Sequence, residues 1–328
     1  MRATAVACAN IAFAKYWGKA DPWLNIPAVP SISLTLRGLE TVTTVELDPA
    51  LEHDEITIDG ELISPPESKR AVELLDAVRA CAQSRCFAKV LSRNNFPKAS
   101  GLASSASGFA ALSVAARAAY GLPFDPVESS RLARRGSASA ARSLFGGYVE
   151  LPQGLPGDDS LAARPLYPPE HWELRLVVAI VCEQPKKMGS RPAMEQTRAS
   201  SPYYAAWLEH APKLAQRVRE AIAKRDIEAL GHASEASFQA MHAAAWAAEP
   251  SIFYLEPASV EALHTIRSMR EKEGIPVFAT MDAGPQVKAI CLPEHAEAIA
   301  QRLSNTKGVL RVLITQPGPA ASLIESPS

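Results

Sequence analysis

Between Asn94 and Gly108 the chain reads Asn-Asn-Phe-Pro-Lys-Ala-Ser-Gly-Leu-Ala-Ser-Ser-Ala-Ser-Gly, and it runs directly into Phe109-Ala110-Ala111-Leu112-Ser113-Val114-Ala115-Ala116. The first half is turn material: Pro97 has no backbone donor, Gly101 permits positive φ, and from Ala99 to Ser107 only Leu102 is large. The second half has the composition of a helix that is small and apolar on nearly every face. A small-residue loop feeding a buried helix leaves the first N–H groups without partners, aimed at one point with the positive end of the dipole behind them. Such a junction cradles phosphate. In an isolated Gly-Leu-Ala-Ser-Ser, serines that only cap a packed helix would explain the pattern. The spacing is not Gly-x-x-x-x-Gly-Lys-Ser/Thr, so no Walker-type fold is implied.

At 328 residues the chain exceeds what one core usually organises, so two domains with a cleft between them are expected. Its 34 basic and 35 acidic residues leave a net charge of −1, which provides no global field for nucleic acid or an anionic membrane. An anionic ligand must be gripped locally. Five cysteines, odd in number and without a Cys-x-x-Cys pair, argue against a disulfide framework and a zinc site and for reduced, mostly buried thiols in cytosol. No run of ~18 apolar residues predicts a membrane span. The N-terminus, with Arg2 but no continuous apolar core before Asn10 and Lys15, does not read as a signal peptide.

Ala3 to Phe13 is strand-like and delivers Lys15-Tyr16-Trp17-Gly18-Lys19, which the following Asp21-Pro22 and Pro27 to Pro30 keep from becoming a helix. Loop lysines beside a tyrosine hydroxyl suit an anionic oxygen. Ser31 to Leu36 and Thr41 to Leu47 read as two strands around Arg37-Gly38, and Glu55 to Ile63 as a hairpin across Asp59-Gly60. Pro66 to Ala82 is predicted helical, with Arg70 near its start. Asp125-Pro126 opens another helix. In Arg135 to Val149, a small-residue helix packed on a neighbour competes with a second anion cradle, in which Ser137 and Ser139 donate hydroxyls and Arg142 forks onto a phosphate or carboxylate. Leu151 to Pro169 reads as the connection to a second domain. A strand from Glu173 to Cys182 precedes the basic loop Lys186-Lys187-Met188-Gly189-Ser190-Arg191. Helices are expected over 203–224, 227–248 and 259–273, with His232, His242 and His264 as ordinary helix residues. Two strands then flank Asp282-Ala283-Gly284-Pro285-Gln286, a turn that by itself is as much a plain hairpin as a catalytic site. An αβ segment follows, and the tail from Gln316 is expected to be loose.

The Pro97-to-Ser105 loop resembles the Pro-x-x-x-Gly-Leu-x-Ser-Ser loop of the GHMP small-molecule kinase superfamily. Three further motifs narrow the resemblance to the diphosphomevalonate decarboxylase family: Ala9 to Lys19 with Asn25-Ile26-Pro27 and Ser31 to Thr35, Arg135 to Val149, and Asp282 to Pro285. The resemblance implies an α+β, two-domain GHMP-kinase-like fold. Residues 1–170 would form an N-terminal mixed sheet with helices, residues 171–328 a ferredoxin-like domain, and the active site the cleft between. It implies ATP-dependent decarboxylation of (R)-5-diphosphomevalonate to isopentenyl diphosphate with ATP and magnesium, by a cytoplasmic homodimer without nucleic-acid or membrane partners. A decarboxylase of 5-phosphomevalonate, or a GHMP kinase that stops after phosphorylation, would keep nearly every motif.

Carried over by motif, Asp282, Lys15 and Arg142 are the expected catalytic residues. Tyr16, Trp17, Gly18, Lys19, Arg70, Ser137, Ala138, Ser139, Ala140, Ala141, Arg142, Ser190 and Arg191 are expected at substrate. Asn94, Pro97, Gly101, Ala103, Ser104, Ser105, Ser107, Lys186 and Lys187 are expected at ATP, with Ser104 or Ser105 on the metal. Pro192-Ala193 and Lys98 stand where the family has small residues, and Ala138 where it has Gly.

Overall fold

The computed structural model describes residues 1–96, 104–184 and 187–325. Its organising strand, Arg2–Ala14, is buried along nearly its whole length because both faces are covered. Its register shifts between Cys8 and Asn10. On one side of that shift Ala3, Ala5 and Ala7 pack under helix Ser104–Ala119; on the other, Ala9, Ile11 and Phe13 pack against a second sheet. An irregularity of this kind re-aims side chains, and here it accompanies the change of partner layer.

Ser31–Asp48 is one continuous strand, where two were expected. Gly38 adopts φ +83°, which bends the chain without reversing it, and both halves stay paired to Arg2–Ala14, from Ser33 opposite Ala12 to Val45 opposite Ala3. Phe87–Asn94 pairs antiparallel on its far side, and Glu55–Ile58 runs parallel to Phe87–Asn94, so the sheet is mixed. The expected hairpin is present, with Asp59 and Gly60 both at positive φ as a tight two-residue turn requires.

Two connecting segments differ from expectation. Within the proline-rich linker, Arg164–Tyr167 pairs with Tyr148–Leu151 and extends the first sheet. The tail is not loose: Ser322–Glu325 pairs with the first strand, and Ala321 is buried in the core beneath. Tertiary contacts hold it there, since Gly318 donates to Thr35 O (2.7 Å) and Gly147 donates to Gly318 O (3.0 Å). The first predicted helix starts at Lys69 rather than Pro66, and the Arg135-to-Val149 stretch forms a 3₁₀ segment, Ala138–Leu144, rather than an α-helix.

The second sheet has the order Phe278–Met281, Val287–Cys291, Arg175–Ile180, Arg311–Thr315, all antiparallel. Together with its crossover helices this is the ferredoxin-like arrangement. One apolar core joins the two sheets: Ile11, Phe13, Ile32 and Leu34 meet Leu176, Val178, Ile180 and Ile290. Where that core ends, the first strand ends also, and Lys15 enters a cleft.

Candidate active site

A cavity of about 940 Å³ runs from the lysine loop to the start of the Ser104–Ala119 helix. At its floor lies Asp282, in the turn between two strands of the second sheet, with Gly284 N–H donating to its carbonyl (2.8 Å). Lys15 Nζ contacts Asp282 Oδ1 at 2.7 Å and Lys288 Nζ contacts Oδ2 at 3.2 Å. The lysines are 2% and 0% exposed and the aspartate 26% exposed, towards the cavity. Burial works against the Asp282 carboxylate, but Lys15 and Lys288 override it and hold the carboxyl well below the usual range. Burial brings Lys15 down to about 8 despite the pull of Asp282. In the free site the carboxylate is therefore ionised and open to accept a hydrogen bond.

Arg142, 3% exposed, reaches the cavity from the 3₁₀ segment. Its guanidinium donates to Ser31 Oγ (2.6 Å), Ser33 Oγ (2.9 Å) and Asn10 Oδ1 (3.1 and 3.3 Å), while Asn10 Nδ2 is engaged by Ser139 O and Ser143 Oγ. All of its hydrogen-bond acceptors are neutral. Burial lowers it to about 10, with the more distant Asp282 acting the other way. A guanidinium fixed by hydroxyls and an amide keeps its positive charge available to a bound anion.

Three more cations converge nearby. Lys19, Arg70 and Arg191 all line the cavity; burial, then Arg191 and Arg70, brings Lys19 down to about 7. Arg70 donates to Gly136 O (3.0 Å) and lies over the Phe109 ring. Any Cβ on Gly136 would fall 2.2 Å from that ring, so the glycine keeps the cradle open. Ser190 and Arg191 lie in the first turn of helix Ser190–Ser200, which starts where a loop was expected. Ser137, Ala138 and Ser139 line the same wall, their two hydroxyls 3.1 Å apart. The Tyr16 hydroxyl is buried there without a hydrogen-bond partner among the described residues.

The cavity also has an apolar lining, Ile56, Ile58, Ile63, Val90, Phe109 and Leu112, together with Asn94, Ser104 and Ser105. A flat apolar base with a polyphosphate arm suits that combination of apolar, hydroxyl and cationic groups. Among the described residues no group of three or more His, Cys, Asp or Glu side chains could hold a metal ion. A divalent ion brought by ATP would rest on phosphate oxygens and on the Ser104 or Ser105 hydroxyl, and both hydroxyls are placed for it.

Several expected residues act otherwise or lie elsewhere. Ser107 is buried and hydrogen-bonded to Thr41 (2.6 Å), so it packs the helix instead of facing the cavity. Ala140 and Ala141 are buried behind the wall, and Lys187 is exposed outside it. Gly18 shapes the lysine loop: its φ is +104° and a Cβ would sit 2.2 Å from the Tyr204 hydroxyl. Trp17 lines the cavity and also anchors that loop, donating to Thr197 Oγ1 (3.1 Å) and accepting from Trp207 Nε1 (2.7 Å). Pro97, Lys98, Gly101, Ala103 and Lys186 lie outside the described residues. His242, expected to be an ordinary helix residue, contacts the Asp282 carbonyl through Nε2 (3.2 Å). Lys288 was not singled out, although a lysine inside the apolar run Val287 to Leu292 is the signal that marks it.

The helix-backed mixed sheet, the ferredoxin-like partner and the cationic cleft between them define a GHMP-type ATP-using enzyme. Residues 7–162 match the diphosphomevalonate decarboxylase-like N-terminal domain and residues 176–312 the mevalonate 5-diphosphate decarboxylase C-terminal domain. The chain belongs to the diphosphomevalonate decarboxylase family. It is 36% identical to diphosphomevalonate decarboxylase mvd1 of Aspergillus fumigatus over 334 residues, covering 94% of this chain and 82% of the relative. It resembles the solved structure of MDDEF in complex with MVAPP, AMPPCP and magnesium (38% identity, TM-score 0.92, 99% of both chains). It also resembles mevalonate diphosphate decarboxylase from Staphylococcus aureus (33% identity, TM-score 0.92, 99% of this chain and 98% of that one).

Proposed function

We infer that this protein converts (R)-5-diphosphomevalonate to isopentenyl diphosphate, ADP, phosphate and carbon dioxide, carried by one observation: an ionised carboxylate, Asp282, on the floor of a cleft also lined by Lys19, Arg70, Arg191, Ser104 and Ser105. The tertiary hydroxyl is a poor leaving group, so ATP esterifies it; loss of that phosphate builds positive charge on the carbon as the C–C bond to the carboxylate breaks. Phosphoryl transfer asks for positioning and charge neutralisation. Asp282 accepts the hydroxyl's hydrogen bond and takes up its proton as the O–P bond forms; once that proton has passed on to the departing phosphate or to solvent, the restored negative charge favours the cationic carbon. Lys15 and Arg142 flank it and neutralise the incoming phosphate and substrate carboxylate. Ser104 or Ser105 would hold a magnesium ion bound with ATP, which would supply charge neutralisation on the phosphates.

Lys19, Arg70 and Arg191 are three cations at one site, which favours a diphosphate over a monophosphate substrate. Steady-state comparison of mevalonate, its 5-phosphate and its 5-diphosphate, reading carbon dioxide and ADP together, tests this. Carbon dioxide from the monophosphate at equal kcat/KM would move the reading to a monophosphate decarboxylase, and ADP without carbon dioxide would make the protein a kinase. Two domains meeting near residue 170, a homodimer and a cytoplasmic location belong to the same proposal. The gap between the two family matches supports the domain boundary, and five free cysteines support the location, although only two of them are buried where most were expected to be; light scattering of the purified protein tests the dimer.

Lys19 gives a pH prediction. It is protonated below about 7 and neutral above, so kcat/KM for the substrate falls as pH rises through 7, while bound anion raises the amine's proton affinity and keeps kcat flat further. Lys19→Arg, charged throughout, removes that limb; a variant profile identical to the parent's assigns the limb to another group. At the nucleotide end, replacing both Ser104 and Ser105 with Ala raises KM for ATP about 10–100-fold, the loss of a hydrogen bond to a charged group. Unchanged ATP kinetics in that variant would sink the assignment.

A further inference from the structure

Lys288 lies on strand Val287–Cys291, opposite Thr280 on one side and Val178 on the other, inside the second sheet. Strand alternation puts it on the face of Ile290, which packs with Ile11, Phe13, Val178 and Ile180 in the core joining the two sheets. An aliphatic residue there would extend that core, whereas an ammonium must be desolvated to enter it. Lys288 is absent from the cavity lining, so it does not touch substrate. Its head does touch Asp282, a carboxylate that lines the cavity floor. A buried charge that the core does not need, placed behind a reacting group, points to function.

We propose that Lys288 is a positioning residue for the decarboxylation: it holds Asp282 Oδ2 from behind, so that Oδ1 stays on Lys15 and the carboxylate presents one fixed, charged face to the substrate hydroxyl. Lys15 alone could pair with either oxygen as the side chain rotates. With both lysines bound the carboxylate has one orientation. The charged and titratable groups facing Asp282 are Lys15 from the end of the first strand, Lys288 from its own hairpin, His242 from helix Ile227–Trp246 and, further off, Arg142 from the 3₁₀ segment. Burial and then Lys15 push His242 down to about 4, so it is neutral at working pH and Lys288 is the second cation.

The proposal rests on the role given to Asp282 above, and the test separates the two. Lys288→Met keeps the side-chain length without the charge, and Asp282 keeps Lys15, so no charge is orphaned. Lys288→Met is expected to melt at or above the parental temperature. It is expected to lower kcat at least about tenfold with KM for both substrates little changed. The acid limb of its kcat profile moves up by about one pH unit or more, because a neighbouring cation no longer holds the carboxyl down. Substrate titrations are common to both enzymes and cancel in the comparison. Added to Asp282→Asn, Lys288→Met causes no further loss, as expected of a residue acting through the carboxylate. Parental turnover, or an acid limb that stays in place, overturns the proposal even where Asp282→Asn is inactive; an active Asp282→Asn refutes the Asp282 reading itself. Should Lys288→Met not fold, Lys288→Gln carries the same expectation, and failure of both to fold assigns Lys288 to stability and ends the proposal.

Discussion

Asp282→Asn lowers turnover by about 10²–10⁴-fold or more, since the change removes the proton acceptor and the negative charge beside the cationic carbon together. Substrate binding survives, because a neutral amide is no obstacle to an anionic ligand. The structure adds a consequence for stability: Lys15 and Lys288, 2% and 0% exposed, lose their shared counter-ion. Orphaning a fully buried charge costs about 3–5 kcal/mol, and less is expected here because Asp282 is partly open to solvent and bound substrate supplies negative charge. The folded carboxyl lies below its unfolded value of ~3.9, so its contribution is complete above that pH and is lost as pH falls. Parent and variant should therefore differ most in melting temperature near neutrality and converge in acid. Near-parental turnover would refute the role, and a collapse of binding with turnover intact at saturation would reassign Asp282 to recognition.

Arg142→Lys loses at least about 10²-fold in kcat/KM, because a single ammonium cannot span Ser31 and Asn10 while facing a ligand. The sequence alone argues that such a variant melts like its parent. The structure corrects this: Arg142 also ties the 3₁₀ segment to two strands of the first sheet, through Asn10 and through Ser31 and Ser33. A modest drop in melting temperature, about 1–3 kcal/mol of stability, accompanies the kinetic loss. Full turnover in Arg142→Lys would remove Arg142 from the site.

Local chemistry made several features readable without coordinates. A serine-rich loop before an apolar small-residue helix, lysines stranded between glycine and prolines, and an acid in a glycine-proline turn each limit the backbone, and therefore the ligand, from sequence neighbours alone. Their resemblance to one family then carried fold, reaction and nucleotide. Hairpins and helices whose signals lie within a few residues, such as Asp59-Gly60 and the Asp125 cap, whose carboxylate accepts from Val127 and Glu128 N–H, came out as expected.

What sequence order could not carry was anything decided by residues far apart. Ser31–Asp48 reads as two strands because Gly38 looks like a turn; only the common partner Arg2–Ala14 makes it one. The tail looks loose because its partner lies more than 300 residues away in the chain. Ser107 is the same residue type as Ser104 and Ser105, which line the cavity, and only its packing against Thr41 separates structural duty from contact. The charge state of the site is the clearest instance. Lys15 lies 267 residues before Asp282, which shares a hairpin with Lys288, yet burial and distances near 3 Å turn two ordinary lysines and an aspartate into one coupled unit. Residue identity determined which groups can ionise; the tertiary structure, by removing water and setting distance, decided in which form they stand.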